Sequence, residues 1–280
     1  MAKKINIRAT QYYHEYYSRL KNIALSTYEW ELPETCNQRF LEKTLFGLGV
    51  ACFVDDPTMS YLNMKVTPSD TLNPYEEPIG YRAYSLGYEQ YYNEDQIVIV
   101  RNNRMMKSTD SSIMLYAEQL AMLEMTRIVN LNAQKTPLLI RCDPKTEQSL
   151  RALYDQFQGD KPAIFSTKSM TEKPIEVLIT GAPFLVDKFR EEKRAVWNEA
   201  LEFLGYNTNP SDKKKERLIT NEVDANNEQI DIQAQTGLEC RQEACDEFYK
   251  KFGVNISVKR RVHRLNDAME EGVIDGEIYG

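Results

Sequence analysis

The sequence is poor in the residues that most metal sites and redox sites need. Among 280 residues there are two histidines, His14 and His263, and five cysteines, none of them in a C-x-x-C pair. Because structural zinc sites are built from clustered Cys and His, this pattern excludes the common zinc-binding arrangements. It is typical of free thiols in a reducing compartment. We expect neither a metal nor another cofactor.

Motifs for catalysis and for phosphate binding are also missing. The sequence contains no G-x-x-x-x-G-K-[ST], G-x-S-x-G or H-E-x-x-H pattern. The acidic pair Asp55-Asp56 belongs to an Asp-Asp-Pro turn, and Glu191-Glu192 lies among basic residues on a predicted helix. We therefore predict that the protein is not an enzyme; a nuclease that uses these acidic pairs is the less favoured alternative.

Long hydrophobic runs and an excess of positive charge are absent as well. No apolar run approaches the roughly 18 residues that a membrane span needs, and Met1 to Asn6 lack the apolar centre of a signal peptide. We expect an intracellular protein without membrane contact. The net charge is −7. Since tight DNA binding is driven by neutralisation of phosphates, this charge argues against a tight DNA binder and is compatible with a channel through which DNA slides.

A long amphipathic helix is the strongest feature that the sequence does contain. Pro183 suits its first position and Gly205 the residue after its end. From Phe184 to Leu204, apolar residues recur at spacings of three, four and seven, with alternating charges on the opposite face. At 1.5 Å per residue, such a helix is roughly 30 Å long. Ser211 then caps a second helix, from Asp212 to about Glu222.

The segment from Asp224 to Gln235 is rich in Asn and Gln, and Gly237 follows it. Because it shows neither a helical nor a strand period, we interpret it as a mobile loop. A helix from about Arg241 to Phe252, a strand from Val254 to Lys259 and an acidic tail from Arg264 to Gly280 complete the chain.

The first half of the chain predicts helices, then strands, then a helix. A tyrosine-rich helix starts at Thr10 and is ended by Pro33, and a second runs from about Asn37 to Phe46. Short strands follow at Val50–Val54, Tyr61–Val66, Tyr81–Tyr84 and Ile97–Arg101. Ile113 to about Asn132 is a helix with apolar residues almost all round, so either neighbouring subunits or the centre of a helical bundle must cover it. An insertion combines strands at Pro137–Cys142, Ala163–Phe165 and Ile175–Ile179 with a helix from Thr146 to Phe157.

Several stretches of the sequence resemble one family. They are Asn132 to Arg141, Val186-Asp187-Lys188, Ala195 to Glu199, Lys214 to Arg217 and Arg241 to Cys245. Together they resemble the portal proteins, also called connectors or upper collar proteins, of small short-tailed phages with protein-primed linear double-stranded DNA genomes. The resemblance implies a dodecameric ring at one capsid vertex, through which DNA is packaged and ejected.

The resemblance implies an α+β fold: a mainly helical portal subunit with long stem helices, an SH3-like β wing module and a small α/β clip insertion. The expected segments are an N-terminal helical wing segment (1–49), the β wing module (50–107), a stem helix (108–136), the clip (137–182), a second stem helix (183–205), a wing helix (206–223), a channel loop (224–240) and a C-terminal wing or crown segment with the acidic tail (241–280).

Candidate site residues follow from the same resemblance and from the charge pattern. The predicted DNA-channel residues are Lys188, Lys193, Lys213, Lys214, Lys215 and Arg241; a solvated helix face is the alternative for each lysine. The predicted channel-loop residues are Asn226, Asn227, Glu228, Gln229, Gln233 and Gln235. The loop lacks the basic residues that accompany it in the family, which argues against attraction to DNA and leaves a steric valve open. Lys3, Lys4 and Arg8 form a predicted arm for packaging nucleic acid or the motor.

The implied partners are other copies of the chain, double-stranded DNA, a packaging ATPase, the major capsid and scaffolding proteins, and lower collar or tail proteins; a packaging RNA remains open. The implied location is the portal vertex of the virion, with the host cytoplasm during assembly. A nucleic-acid-binding assembly adaptor that forms no closed ring is the alternative function.

Overall fold

The computed structural model describes residues 2–134, 138–142, 148, 163–167, 175–177, 183–206 and 220–261. It divides the chain into two compact units, and each is described by itself. One unit contains Met1–Tyr13 and Glu118–Trp197, and the other contains His14–Ala117 and Asn198–Gly280. Secondary structure is mixed, with long helices and mostly antiparallel strands. The α+β class predicted from the sequence is therefore confirmed.

Helix α1 (Ala2–Leu25) begins earlier and ends earlier than the sequence predicts. Lys3, Lys4 and Arg8, the predicted arm, thus lie on helical backbone. The helix stops before Tyr28 because strand β1 (Tyr28–Glu31) pairs with strand β10 (Ser257–Arg260), antiparallel. A partner so distant in the chain leaves no local sequence signal, which is why this strand was missed.

Helix α2 (Gln38–Leu48) confirms the second predicted helix, and both of its ends have a physical cause. The Asn37 side chain accepts a hydrogen bond from the backbone N–H of Phe40 at 2.9 Å, as an N-cap does. Gly49 ends the helix with φ +82°, a left-handed conformation that glycine adopts at low cost. A side chain at Gly49 would also collide with the backbone of Met106.

A five-stranded antiparallel sheet follows in the order β5-β4-β3-β2-β6. Its strands are β2 (Val50–Asp56), β3 (Ser60–Pro68), β4 (Gly80–Ser85), β5 (Tyr88–Asn93) and β6 (Ile97–Arg101). Four of these match predicted strands, whereas β5 was not predicted. Its sequence, Tyr-Glu-Gln-Tyr-Tyr-Asn, contains no aliphatic residue and does not alternate cleanly between apolar and polar positions.

The largest core of this unit lies where the sheet meets helix α5 (Thr220–Phe252). The rings of Phe53 and Phe248, both fully buried, meet edge to face with centroids 5.2 Å apart. Trp30 of β1 packs on Phe53 in the same manner at 6.1 Å. Edge-to-face pairs of this kind add to the stability that comes from area burial alone.

Helix α5 corrects the prediction of a mobile channel loop over 224–240, because the whole range is helical. Gln, Glu and Ala are good helix formers, so the Asn- and Gln-rich composition was a poor guide to a loop. Gly237 does not break the helix. It admits the Tyr28 ring, since a side chain at this position would collide with the tyrosine hydroxyl. Gly253, with φ +71°, follows the last helical residue.

The two predicted long stem helices are present as α3 (Asp110–Ala133) and α4 (Val186–Phe203). Helix α4 starts three residues after Pro183, which corrects the placement of this proline in its first turn. Gly205 has φ +81° just beyond the end of α4, as predicted. No helix of the described chain is both long and apolar enough to span a membrane.

A small three-stranded sheet falls within the range predicted for the clip. It consists of β7 (Leu138–Cys142), β8 (Ala163–Thr167) and β9 (Ile175–Val177), with β7 in the middle, parallel to β8 and antiparallel to β9. These positions match three predicted strands. The predicted helix over 146–157, most of the predicted helix over 212–222, and the tail after residue 261 lie outside the described residues.

Candidate functional site

Lys188 and Lys193, two of the predicted DNA-channel residues, lie on the polar face of α4, and their surroundings differ. Lys188 is exposed. Lys193 is instead hydrogen-bonded to Glu124 of α3, with 3.1 Å between Nζ and Oε2, and only 34% of its side chain is exposed. Its positive charge is therefore largely neutralised within the chain. This placement weakens the prediction for Lys193 and leaves Lys188 as the better candidate for a charge that faces outward.

Glu124 is a buried acid that the sequence analysis did not identify. It is 5% exposed and receives hydrogen bonds from Lys193 and from Arg127. Burial alone raises the pKa of this carboxyl, but the hydrogen bonds from Arg127 and Lys193 outweigh burial and hold the pKa below its ordinary value. Glu124 thus links α3 to α4 through Lys193, while Arg127, on the same helix as Glu124, adds a second cation.

The end of α3 is also hydrogen-bonded to the segment that leads into α4. The side-chain amide of Asn130 donates to the carbonyl of Pro183 at 2.9 Å and accepts from the backbone N–H of Leu185 at 3.1 Å. Gln134 donates to the same Pro183 carbonyl at 3.3 Å. These contacts satisfy backbone groups that would otherwise be left unpaired near the start of a helix.

Arg241, predicted to face DNA, is buried within its own unit. It is 2% exposed, and its guanidinium forms two hydrogen bonds with Glu42, which is 3% exposed. It also donates to the carbonyl of Gly237 and to the side chain of Asn102, and it lies over the ring of Tyr28 with 3.9 Å to the centroid. Because all of these partners are internal, we correct the prediction: Arg241 is a structural residue rather than a DNA contact.

The electrostatics of this cluster are balanced. Burial alone lowers the pKa of Arg241, yet the charge and the hydrogen bonds of Glu42 more than compensate, so its pKa is raised and it stays protonated. The Trp30 indole N–H donates to the same Glu42 carboxylate at 2.8 Å. Arg241 and Glu42 line part of a cavity of about 420 Å³.

The sequence around Arg241 contains a pattern that indicates its burial. Arg241 is preceded by Cys240 and followed by Ala244, Cys245 and Phe248, which are buried at helical spacing. A charged residue within such an apolar face needs an internal partner. The partner, Glu42, sits likewise in the apolar face of α2.

An exposed salt bridge lies next to this buried one. Arg104, in the segment between β6 and α3, bonds Glu243 at 2.6 Å and Glu239 at 3.2 Å, both on α5. Side chains here are about half exposed. Glu239 falls within the range predicted for the channel loop (224–240), and it is paired on a helix.

Helix α3 presents apolar side chains to solvent. Leu115, Met122 and Val129 are 61%, 63% and 57% exposed. They are spaced by seven residues, so they form a stripe along one side of the helix. On its other sides α3 buries Ile113, Ala117 and Leu120 completely. The helix therefore has one buried and one exposed apolar face. This agrees with the prediction that most of its sides must be covered by other parts of the protein or by neighbouring subunits.

The remaining candidate residues are only partly described. Lys213, Lys214 and Lys215 lie outside the described residues. Asn226, Asn227, Glu228, Gln229 and Gln233 lie on the helical backbone of α5, and Gln235 is exposed on the same helix. In the part of the chain that the structure describes, no cluster of three or more His, Cys, Asp or Glu is arranged to hold a metal ion.

Comparison with solved structures places the fold. A chain in the structure of the portal and tail of native bacteriophage P68 matches 97% of this chain with a TM-score of 0.54, at 14% sequence identity and over 93% of its own length. Lower TM-scores of 0.46 and 0.40 relate the chain to the virion of a native gene transfer agent particle (11% identity, 92% of this chain and 82% of that one) and to an HK97 family phage portal protein from Corynebacterium diphtheriae (10% identity, 92% and 95%).

The fold is thus that of a phage portal subunit. The sequence profile of the family described as Phage Connector (GP10) matches residues 2–264, and the chain belongs to the phage connector family. It is a portal, or connector, protein of the virion, located at the capsid vertex. The resemblance seen in the sequence is confirmed at the level of the portal and connector class.

Proposed function

We propose that copies of this chain close into a ring around an open axis, through which double-stranded DNA enters the capsid during packaging and leaves it during ejection. The family resemblance sets the expected number of subunits at twelve. The ring would contact the major capsid and scaffolding proteins, and later the lower collar or tail proteins. Its role is structural rather than catalytic, so the ATP hydrolysis that drives packaging belongs to a separate ATPase that docks on it.

The observation that carries the proposal is the apolar stripe of α3. Three large apolar side chains in line along an exposed helix are unfavourable in water, because each loses about 25 cal/mol for every Å² of apolar surface left uncovered. Exposed apolar surface that is continuous along an element marks a contact site. A neighbouring copy would cover this stripe in a ring whose helices stand side by side.

The charge of α4 suits the wall of a conduit. Lys188 is exposed, Arg190 lies 3.8 Å from Asp187, and Lys193 is bonded to Glu124. Most positive charge here is therefore balanced, which would let a polyanion slide. Rings of Lys188 would attract phosphates weakly, because salt largely screens the interaction between exposed charges that are more than about 10 Å apart. Lys213, Lys214 and Lys215 remain predicted DNA contacts, and Lys3, Lys4 and Arg8 remain predicted contacts for the motor or a packaging RNA.

Native mass spectrometry and negative-stain imaging of the purified protein test the ring directly. We expect a single closed oligomer with a central hole. Leu115→Lys and Met122→Lys should reduce its abundance strongly, whereas Glu34→Lys, at an exposed position outside α3, should not. A monomer or dimer at micromolar concentration, or an oligomer without a hole, would contradict the proposal and favour the adaptor function.

A further inference from the structure

Strand β5 forms an open edge of the five-stranded sheet. It pairs with β4 over all six residues, and within the described chain no other strand lies against its outer side. Proteins commonly protect such edges with lysine or proline, because unpaired backbone groups accept a further strand. Tyr88–Asn93 contains neither residue type. The edge is therefore chemically able to take up another strand.

The inner side of β5 is firmly held, so the edge is already in a strand conformation. Tyr92 is 9% exposed. The Tyr88 hydroxyl lies 2.6 Å from the Tyr92 hydroxyl and donates to the Asp56 carboxylate at 2.8 Å. Because residues alternate across a strand, Glu89 and Tyr91 point to the opposite, solvent-facing side. Because β5 is already ordered, binding of an incoming segment would lose no conformational entropy in this strand.

Apolar residues flank the edge at both ends. Leu86, in the turn before β5, is fully exposed, and Tyr91 within the strand is 69% exposed. At the other end, the backbone N–H of Glu94 donates to the carbonyl of Ile79 at 3.2 Å, which brings the segment between β3 and β4 next to the end of β5. That segment exposes Tyr75 at 84%. These side chains offer contacts for the side chains of an added strand.

The charge around the edge identifies the kind of partner. Between residues 69 and 95 there are six acidic residues and one basic residue, Arg82, which is itself paired with Glu89 at 3.3 Å. The acidic residues are Asp70, Glu76, Glu77, Glu89, Glu94 and Asp95. A surface of this charge repels nucleic acid and attracts positively charged polypeptide.

We propose that β5 accepts an extended, lysine- or arginine-bearing segment of a partner protein as a sixth strand of the sheet. Main-chain hydrogen bonds to β5 supply the affinity, and the exposed apolar and acidic side chains supply the preference for a basic, partly apolar sequence. The binding is independent of the DNA path and involves only the sheet and its connecting segments.

Two fluorescent ten-residue peptides test the proposal on the full-length protein. The first alternates lysine and valine. The second has the same sequence with every backbone nitrogen methylated, which keeps the charge and removes all main-chain donors. In fluorescence anisotropy titrations, we expect the unmethylated peptide to bind about tenfold or more tightly than the methylated one.

Protein variants separate the edge from general charge. Tyr91→Lys and Asp95→Lys should each weaken binding of the unmethylated peptide several-fold. Glu34→Lys, which makes the same charge change as Asp95→Lys at an exposed position outside the sheet, should leave it unchanged. Equal binding of the two peptides, no binding of either, or an equal effect of Glu34→Lys would overturn the proposal. So would a change in subunit number in the Tyr91→Lys protein, since the edge would then be occupied by a second copy.

Discussion

Two hydrogen bonds, each 2.9 Å long, join the guanidinium of Arg241 to the carboxylate of Glu42, a residue 199 positions earlier in the chain. Trp30 donates to the same carboxylate, and Tyr28 covers the guanidinium. One ion pair thereby fixes α5 against α2 and β1. A buried pair specifies which surfaces meet, because any shift of the helices leaves a charge without a partner.

Removing one member of this pair should destabilise the protein strongly. Arg241→Met leaves Glu42 buried without its cation, and loss of one partner from a buried pair typically costs about 3 to 5 kcal/mol. Thermal unfolding followed by calorimetry should show a large drop in melting temperature. The double variant Glu42→Leu with Arg241→Met should recover much of the loss. Equal destabilisation by the single and double variants would show that the charge imbalance is not the cause.

Arg104→Met provides the matched exposed comparison. Arg104 also bridges to α5 but in solvent, where water and salt screen the interaction. Its removal should change the melting temperature far less than Arg241→Met. A loss as large as that of Arg241→Met would mean that the segment between β6 and α3, rather than the buried pair, fixes α5.

Gly47, within α2, and Gly49, just after its end, should respond oppositely to substitution by alanine. Gly49→Ala forces a side chain into a left-handed conformation and against the backbone of Met106, so we expect a loss of at least about 1 to 2 kcal/mol. Gly47 lies inside the helix with no other atom within 4 Å of an added methyl group. Gly47→Ala should therefore stabilise by up to about 1 kcal/mol. Urea unfolding of both variants measures the difference, and a loss for both would contradict this account.

The Glu124 cluster should make part of the stability depend on pH. The folded-state pKa of Glu124 is depressed, so its contribution is present above the ordinary pKa of glutamic acid and is lost as the pH falls through the lowered value. Glu124→Gln should therefore melt below the unmodified protein at neutral pH, and the gap should close in acid. Glu118→Gln, at an exposed position of α3, should show no such gap. A gap for Glu124→Gln that persists unchanged in acid would exclude this origin.

The lysines of α4 should differ in their effect on DNA. Lys188→Ala should leave ring assembly intact and reduce the retention of packaged DNA, with the largest effect at low salt. Lys193→Ala should affect retention less, because Glu124 already neutralises this side chain, and should lower the melting temperature instead. DNA retained in assembled particles measures the first effect. If Lys188→Ala prevents ring formation, that residue is structural and the assignment to the channel is wrong.

Local patterns predicted the elements that local chemistry decides. The sequence predicted helix α2, the long helices α3 and α4, Gly205 after the end of α4, and four of the five sheet strands. What was missed depends on distant partners. Strand β1 exists through its pairing with β10, and the helical course of α5 past Gly237 accompanies the packing of Tyr28 on that glycine.

In the candidate site, too, the features that depend on distant residues were not predicted from the sequence. A lysine on a polar helix face looks alike whether it meets solvent or a buried acid, so the sequence could not separate Lys188 from Lys193. Arg241 was assigned by analogy to a DNA-facing position, and its burial became evident only with Glu42 beside it. Side chains whose role is set by a residue far away in the chain are the ones that composition and spacing cannot place.

The pairing of β1 with β10 also bears on when the subunit becomes able to assemble. Trp30 sits opposite Val258, so this sheet cannot form until Val258 has left the ribosome. A nascent chain that lacks this residue therefore carries an incomplete unit. Chains truncated before β10 would accordingly be left out of the ring.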